Sequence, residues 1–240
     1  MAQAEVPGLY IVFEGADGTG KSSTMTAVYD HFVSNNADII ATHHPGSTSL
    51  GKHIRKLVKT PELIDPNIKI DEYSRQILYM VDNISFIKQI LEPSIDKGTM
   101  VFADRSSFIS AMVYGLASDL SIAELDSLLR LVVPPKINRL YVFHCSPETA
   151  MERIKKGRWV DGKQNIDHFD SKGIEFHTKL MKYYLSLSTI DVELMMMLVQ
   201  WVSLNNIVYV DTENNQQDIV NFIIDDISKL TAEHKFSYSA

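Results

Sequence analysis

The chain has 240 residues, 45% of them hydrophobic, which is enough to bury a sizeable core as a single α/β domain over residues 1–240. The formal net charge of −7 and the lack of a Lys or Arg run argue against a nucleic-acid partner. A single cysteine, Cys145, excludes an intramolecular disulfide, and no apolar run could cross a bilayer, so we expect a cytoplasmic protein without a membrane partner.

The first predicted element is a buried strand that runs into a glycine-rich turn. Leu9–Phe13 is apolar with β-branched members, and the following Gly15–Ser22 satisfies the G-x-x-x-x-G-K-[ST] phosphate-binding loop. A helix predicted from Ser22 would aim backbone N–H groups and its dipole at a phosphate. We expect this loop to bind a nucleoside triphosphate through Gly15, Ala16, Asp17, Gly18, Thr19, Gly20, Lys21, Ser22 and Ser23.

Two side chains of this loop are expected to bind charged groups of the nucleotide complex. Lys21 is expected to reach the β- and γ-phosphates and to stabilise their charge without contributing to packing, and the Ser22 hydroxyl is expected to hold Mg²⁺.

A second strand is predicted over Asp38–Thr42, and it ends at the turn His43-His44-Pro45-Gly46. A helix over Leu50–Val58 and a loop over Thr60–Asn67 follow. Ligands of α/β proteins bind at the carboxyl ends of the strands, so this turn is a candidate part of the site.

The longest helical pattern covers Asp71–Lys97, because apolar residues recur at three- and four-residue spacing at positions Ile77, Leu78, Val81, Ile84, Ile87, Ile90 and Leu91. Pro93 is expected to kink or adjust this helix. The next strand, Thr99–Ala103, ends at Asp104-Arg105. An acid at that point is well placed to hold a magnesium-bound water, and an Arg beside it can hold a phosphate.

The remaining elements alternate between helix and strand. We predict helices over Ser107–Gly115 and Ser121–Val132, then a strand over Leu140–Phe143 and a helix that starts at Ser146-Pro147-Glu148. A mostly helical stretch over Gly173–Asn205 follows and contains the apolar segment Leu194–Val202. The last elements are a strand over Ile207–Val210 and a helix over Gln217–Leu230. This alternation predicts a parallel sheet with helices on both faces.

A basic cluster, Arg153, Lys155, Lys156 and Arg158, precedes a polar loop that runs to Asp170. A solvated basic face is the ordinary interpretation of such a cluster. In a chain with a phosphate-binding loop, a mobile lid over residues 153–170 that clamps phosphates is the interpretation that we favour.

Five blocks of the sequence resemble thymidylate kinases in order and spacing: FEGADGTGKSS, HHPGSTSLGKHIRKL, LEPSIDKG, FADRSSFISAMVYG and NIDHFDSKGIEFHTKLMKYYLSL. The resemblance extends from Leu9 to Leu230. It implies a P-loop NTPase fold with a five-stranded parallel sheet, and Mg²⁺-dependent transfer of the γ-phosphate of ATP to dTMP, giving dTDP and ADP. It also implies a homodimer, for which the stripe from Ile77 to Leu91 and the segment Leu194–Val202 provide apolar surface.

The same resemblance assigns site residues one by one. Lys21, Asp17, Arg105, Arg153 and Arg158 are the implied catalytic residues, and Ser22 and Asp104 the implied metal ligands. The implied acceptor-binding residues are Asp17, Pro45, Arg55, Tyr79, Asn83, Arg105, Ser110 and Tyr114. Among them Arg55 and Arg105 match acceptor-phosphate arginines, and Tyr79 falls where an aromatic ring stacks on the base. A core aromatic on the helix stripe is an equally good interpretation of Tyr79.

Several departures from the family pattern fall around the base. His43-His44 replaces an Arg-Glu pair, and Asn83 replaces the Arg that donates to thymine O4. Ser106 follows the Asp-Arg motif, Val113 with Tyr114 beside it replaces a ring, and Asp167-His168 replaces Asp-Arg in the lid. Phosphate handling is therefore expected to be intact and base selection relaxed, because an amide can donate or accept.

Gly18 occupies a P-loop position where some family members have a catalytic Arg. A transition-state arginine is then expected from the lid, with Arg153 and Arg158 as candidates. Three alternatives to a dTMP kinase stay open: a broader deoxynucleoside monophosphate kinase that takes a modified pyrimidine or several bases, a deoxynucleoside kinase, and a nucleotide-binding switch with little transfer activity.

Overall fold

The computed structural model describes residues 6–131, 135–157, 159–160, 163–164, 169, 172–189, 196 and 198–239. Strands over these residues are β1 Tyr10–Gly15, β2 Ile39–His43, β3 Met100–Asp104, β4 Arg139–His144, β5 Trp159–Val160, β6 Lys163–Gln164 and β7 Ile207–Asp211. Five of them form one parallel sheet in the order β2-β3-β1-β4-β7, which confirms the predicted fold class. The strands β5 and β6 pair antiparallel within the segment predicted to be a loop.

The helices in chain order are α1 Lys21–Ser34, α2 Ser49–Lys59, α3 Glu72–Phe86, α4 Glu92–Asp96, α5 Ser107–Ala117, α6 Ile122–Leu129, α7 Pro147–Gly157, α8 Gly173–Leu185 and α9 Gln216–Ser239. Short 3₁₀ turns lie at Pro61–Leu63 and Leu204–Asn206. None of the helices in the described part of the chain is both long and apolar enough to span a membrane.

Two cores flank the sheet, because successive side chains of a strand point to opposite faces. From β1, Ile11 and Phe13 pack with α1 and α9 on one face. Tyr10 and Val12 pack with α3, α5 and α8 on the other. The central strand β1 is therefore buried throughout, and this is why it is an almost continuous apolar run.

The long predicted helix is present, and the adjustment at Pro93 takes a specific form. A π-helical segment, Ile87–Leu91, joins α3 to α4 directly before Pro93. Proline has no N–H and its ring crowds the carbonyl four residues earlier, and a wider π turn relieves both problems.

The apolar stripe of this helix is only partly core. Ile77, Val81 and Ile84 are 42%, 40% and 42% exposed, while Phe86 and Ile87 are buried. The helix therefore presents an apolar face to solvent in addition to its core face.

The apolar segment Leu194–Val202, predicted as a buried helix, is only partly buried, and its residues 199–202 form a turn and a bridge to Ile137 instead of helix. Leu198, Trp201 and Val202 are buried, whereas Met196 is 61% exposed. Leu194, Met195 and Met197 lie outside the described residues.

Candidate active site

The P-loop connects β1 to α1 and requires glycine at defined points. Gly15, Gly18 and Gly20 all have positive φ, between +78° and +140°. A Cβ on Gly18 would lie 2.3 Å from the carbonyl oxygen of Ala150 in α7. Because α7 packs this closely on the loop, a side chain at position 18 would clash with the α7 backbone, and the positive φ also favours glycine there.

The predicted triphosphate-binding residues surround one concavity at the amino end of α1. It is lined by Ala16, Asp17, Gly18, Thr19, Gly20, Lys21, Ser22 and Ser23, and Gly15 is the one predicted member that does not line it.

Asp104, at the carboxyl end of β3, contacts both functional side chains of the loop. Its Oδ1 accepts from Lys21 Nζ at 2.6 Å, and its Oδ2 accepts from Ser22 Oγ at 2.5 Å. Burial acts to raise the pKa of Asp104, but the charges of Lys21 and Arg105 and these hydrogen bonds hold that pKa below its ordinary value. The Lys21 side chain is only 6% exposed, so the expectation that it makes no packing contribution was wrong.

These oxygen atoms suit Mg²⁺. A hydroxyl and a carboxylate are hard donors, and Mg²⁺ in nucleotide enzymes is held by one or two carboxylates with the substrate phosphates. The described residues contain no group of three or more His, Cys, Asp or Glu side chains that could hold a metal ion by themselves.

Arg105 lies next to Asp104 and has a well-determined orientation. Its Nη2 donates to Asp17 Oδ1 at 2.6 Å, and its Nη1 donates to the Gly15 carbonyl at 3.0 Å. The guanidinium carbon also lies 5.3 Å from the centroid of the Tyr114 ring. Asp17, predicted to contact both substrates, and Arg105, predicted to bind the acceptor, are thus in direct contact although 88 positions separate them.

A partly enclosed pocket opens beside Arg105. Six predicted acceptor-binding residues line it: Asp17, Pro45, Tyr79, Arg105, Ser110 and Tyr114. Four others, His44, Lys59, Ala111 and Phe169, were missed. His44 and Phe169 stand inside recognised blocks of sequence, which is a usable signal, whereas nothing in the sequence distinguishes Lys59 at the end of α2.

Asn83 is not among the lining residues. Its side chain lies in α3 one turn after Tyr79 and is 2% exposed, and its Nδ2 has no hydrogen-bond partner among the described residues. Helical side chains lean toward the helix N-terminus, so a long side chain at this position extends toward Tyr79 and the pocket. An asparagine is too short to do so. Its predicted role toward the base stays a prediction.

The neighbouring Asp82 lies behind the pocket and contacts its lining residue His44. Its Oδ2 lies 3.4 Å from His44 Nδ1, and its Oδ1 accepts from the backbone N–H of Gly46 at 3.2 Å. The His44 ring packs edge-on against Phe86 with 4.1 Å between centroids.

A cleft joins this pocket to the P-loop, and cationic side chains converge there. Its lining includes Lys21, Ser22, His43, Arg55, Lys59, Asp104, Arg105 and Arg153. Arg55 in α2 donates from Nη1 to the Pro45 carbonyl at 2.8 Å. Burial first, and the charge of Arg55 second, lower the pKa of His43 in this cleft.

Arg153 belongs to α7 rather than to a loop. Its Nη2 donates to the Thr212 carbonyl at 2.9 Å and its Nη1 to Thr212 Oγ1 at 3.1 Å. The same Arg153 borders a second hollow with Gly20, Ser23, Asn214 and Gln216, which shares no lining residue with the acceptor pocket. Thr212, Asn214 and Gln216 follow β7 and were missed, because a strand-end turn of polar residues is not distinctive in sequence.

The other residues of the basic cluster fall into two groups, the exposed lysines of α7 and an arginine outside the described residues. Lys155 and Lys156 are exposed, and Lys156 pairs with Glu152 one turn earlier in α7, as on an ordinary solvated face. Arg158, Asp167 and His168 lie outside the described residues.

A P-loop, an acid and an arginine at the adjacent strand end, and a continuous second pocket define a P-loop phosphotransferase that acts on nucleotides. The sequence profile of thymidylate kinase matches residues 13–223, which is most of the chain. This chain belongs to the thymidylate kinase family, a family of nucleoside monophosphate kinases.

Similar curated proteins carry the same name. The chain is 28% identical to a thymidylate kinase of Protochlamydia amoebophila, over 78% of this chain and 83% of that protein. It is 30% identical to thymidylate kinases of Caldicellulosiruptor saccharolyticus and Thermosipho africanus, over 75% of this chain and 83% and 84% of those proteins.

Proposed function

We propose that this chain transfers the γ-phosphate of ATP to dTMP, giving dTDP and ADP. The observation that carries the proposal is the continuity of two cavities. The acceptor pocket and the P-loop cleft share Asp17, His44, Lys59 and Arg105 as lining residues, so a monophosphate in the pocket lies next to a triphosphate in the loop.

The chain's cations address the main electrostatic obstacle, which is the mutual repulsion of two phosphate groups. Lys21 holds the β- and γ-phosphates of the donor, and Arg55 and Arg105 hold the acceptor phosphate. An acceptor phosphate oxygen then attacks the γ-phosphorus while the bond to the β-phosphate oxygen breaks, with no covalent enzyme intermediate. Mg²⁺, when bound by Ser22 and Asp104, neutralises charge on the transferred group.

Negative charge builds up on the phosphate groups during transfer. A further cation is needed to stabilise it, since Gly18 provides none. We assign this role to the lid-side arginines Arg153 and Arg158. For Arg153 the support is its position on the cleft together with Lys21 and Asp104.

We propose that this pocket selects the base less strictly than a pocket in which an arginine hydrogen-bonds to the edge of the base. Tyr79 offers a ring on which a flat base can stack, and stacking says little about the edge of the base. In the family pattern, an arginine of α3 donates a hydrogen bond to the base. Here the short Asn83 replaces it and does not line the pocket. A neighbouring pyrimidine or a 5-substituted dUMP is therefore a second proposed acceptor.

Assembly and location complete the proposal. The exposed apolar face of α3, comprising Ile77, Val81 and Ile84, would be covered by a second copy in a homodimer. A cytoplasmic location is favoured by the single cysteine, Cys145, which is free and buried.

A coupled assay of ATP consumption against a panel of deoxynucleosides and their monophosphates tests this function. We expect turnover with dTMP, weaker turnover with dUMP and dCMP, and none with thymidine. Turnover with thymidine alone would instead indicate a deoxynucleoside kinase, and ATP binding without consumption would indicate a switch.

A further inference from the structure

A buried carboxylate lies beneath the P-loop, and the mechanism above does not use it. Glu14, in β1, is fully buried. Its Oε1 accepts from the Ser106 N–H at 2.7 Å and from Ser110 Oγ at 2.9 Å, and its Oε2 accepts from the Tyr184 hydroxyl at 2.8 Å. A buried carboxylate is costly unless it is hydrogen-bonded, and these three donors, two from the amino end of α5 and one from α8, satisfy it.

Tyr184 contacts both this carboxylate and Arg105, whose Nη1 also lies 3.7 Å from Glu14 Oε2. Its hydroxyl donates to Glu14 and accepts a hydrogen bond from Arg105 Nη1 at 3.2 Å. A hydroxyl has a single hydrogen, so donation to Glu14 leaves its lone pairs for the guanidinium. Burial first, and the charge of Glu14 second, raise the pKa of Tyr184, so the phenol keeps its proton.

The hydrogen bonds of Arg105 show what this contact does. Nη1 donates to the Gly15 carbonyl and to Tyr184, and Nη2 donates once to Asp17. A guanidinium has five N–H groups in a rigid plane, so these contacts determine its orientation. The Nε hydrogen and one Nη2 hydrogen have no partner among the described residues, and Arg105 lines both the acceptor pocket and the cleft.

We propose that Tyr184 is a positioning residue for the acceptor phosphate: its hydroxyl, held by Glu14, fixes the plane of Arg105 so that two N–H groups remain available to a phosphate. Neither Tyr184 nor Glu14 lines the acceptor pocket or the cleft, so we expect neither to touch the acceptor. The inference rests on the proposed role of Arg105 as an acceptor-phosphate ligand.

The chain contains a matched control for the test. Tyr141 is also fully buried, donates to the carboxylate of Asp226 at 2.6 Å, and stands beside an arginine, Arg139, paired with the same carboxylate at 3.0 Å. This second trio lies on the sheet face that packs with α9, away from the acceptor pocket. Tyr184→Phe and Tyr141→Phe therefore remove the same chemical group from equally buried sites, of which one contacts Arg105.

The measurement is calorimetric binding of dTMP and of thymidine to the full-length variants, together with steady-state kinetics. For Tyr184→Phe we expect dTMP affinity to fall about tenfold, thymidine affinity to stay within twofold, and the KM for ATP to be unchanged. Tyr141→Phe should leave all three quantities at parental values while losing a similar amount of thermal stability.

Equal losses for dTMP and thymidine, or parental dTMP affinity in Tyr184→Phe, would overturn the proposal. A coupling test adds Arg105→Ala: because Tyr184 acts through Arg105, the double variant should bind dTMP no more weakly than Arg105→Ala alone, and a further loss contradicts the inference. Failure of the proposed function is a different result, namely a parent that binds dTMP without phosphorylating it.

Discussion

Replacing Lys21 by methionine separates the two roles that the structure gives this side chain. Methionine keeps the length and apolar stem of lysine and removes the charge. In the free protein it leaves Asp104, whose side chain is 18% exposed, without the ammonium 2.6 Å away. With nucleotides bound it also removes the cation expected on the β- and γ-phosphates.

The two effects have different sizes. Breaking a buried ion pair typically destabilises a protein by about 3–5 kcal/mol. The lower end applies here because Ser22 and Arg105 still face Asp104, so we expect about 3 kcal/mol, or a fall in Tm of about 6–12 °C at this chain length. Loss of one preorganised donor to the transferred phosphate lowers turnover by about 10²–10³-fold.

The assay compares Lys21→Met with the double variant Lys21→Met/Asp104→Asn, by calorimetric unfolding and by turnover at saturating ATP and Mg²⁺. The double variant removes the uncompensated carboxylate, so its Tm should return to within a few degrees of the parent while its turnover stays low. A Lys21→Met protein with parental Tm would show that solvent screens the pair. Parental turnover in that variant would refute the catalytic role of Lys21.

Four other outcomes are expected. Chelating Mg²⁺ with EDTA should abolish transfer from ATP and leave Tm nearly unchanged, because the protein supplies few ligands of its own; retained turnover contradicts the metal assignment. Asn83→Arg should sharpen the preference for dTMP over dCMP by about tenfold to hundredfold, the equivalent of one charged hydrogen bond, and an unchanged preference in a folded variant argues against this position as a base reader. Arg153→Ala should lower turnover far more than it raises the KM for ATP, and the reverse pattern would assign Arg153 to nucleotide binding alone. Light scattering should report a dimer at micromolar concentration and a monomer for Val81→Glu, since a charge on the exposed face of α3 opposes its burial; a monomeric parent refutes the dimer.

The local elements of the fold follow from short stretches of sequence. The P-loop was identified because its strand, glycines, Lys21 and Ser22 are contiguous, and backbone conformation over eight residues is decided mainly by those residues. The parallel sheet followed from the alternation of buried strands and helices. Tyr79 packs against the core and also lines the pocket, so its place in the fold is compatible with both interpretations, and its stacking on a base stays a prediction.

The sequence alone could not determine the contacts between distant segments of the chain. The ion pair of Lys21 with Asp104 depends on β3 lying beside β1. The positions of Lys59 and Phe169 in the pocket lining depend on where tertiary packing places the end of α2 and Phe169. Periodicity reports which side of an element is apolar, but it carries no information about which element faces it. Asn83 could be recognised from the sequence as the replacement for an arginine. Only the tertiary packing of α3 and α8 against β1 and β3 decided that it is buried beside the pocket. The same packing decided the network that joins Glu14, Tyr184 and Arg105.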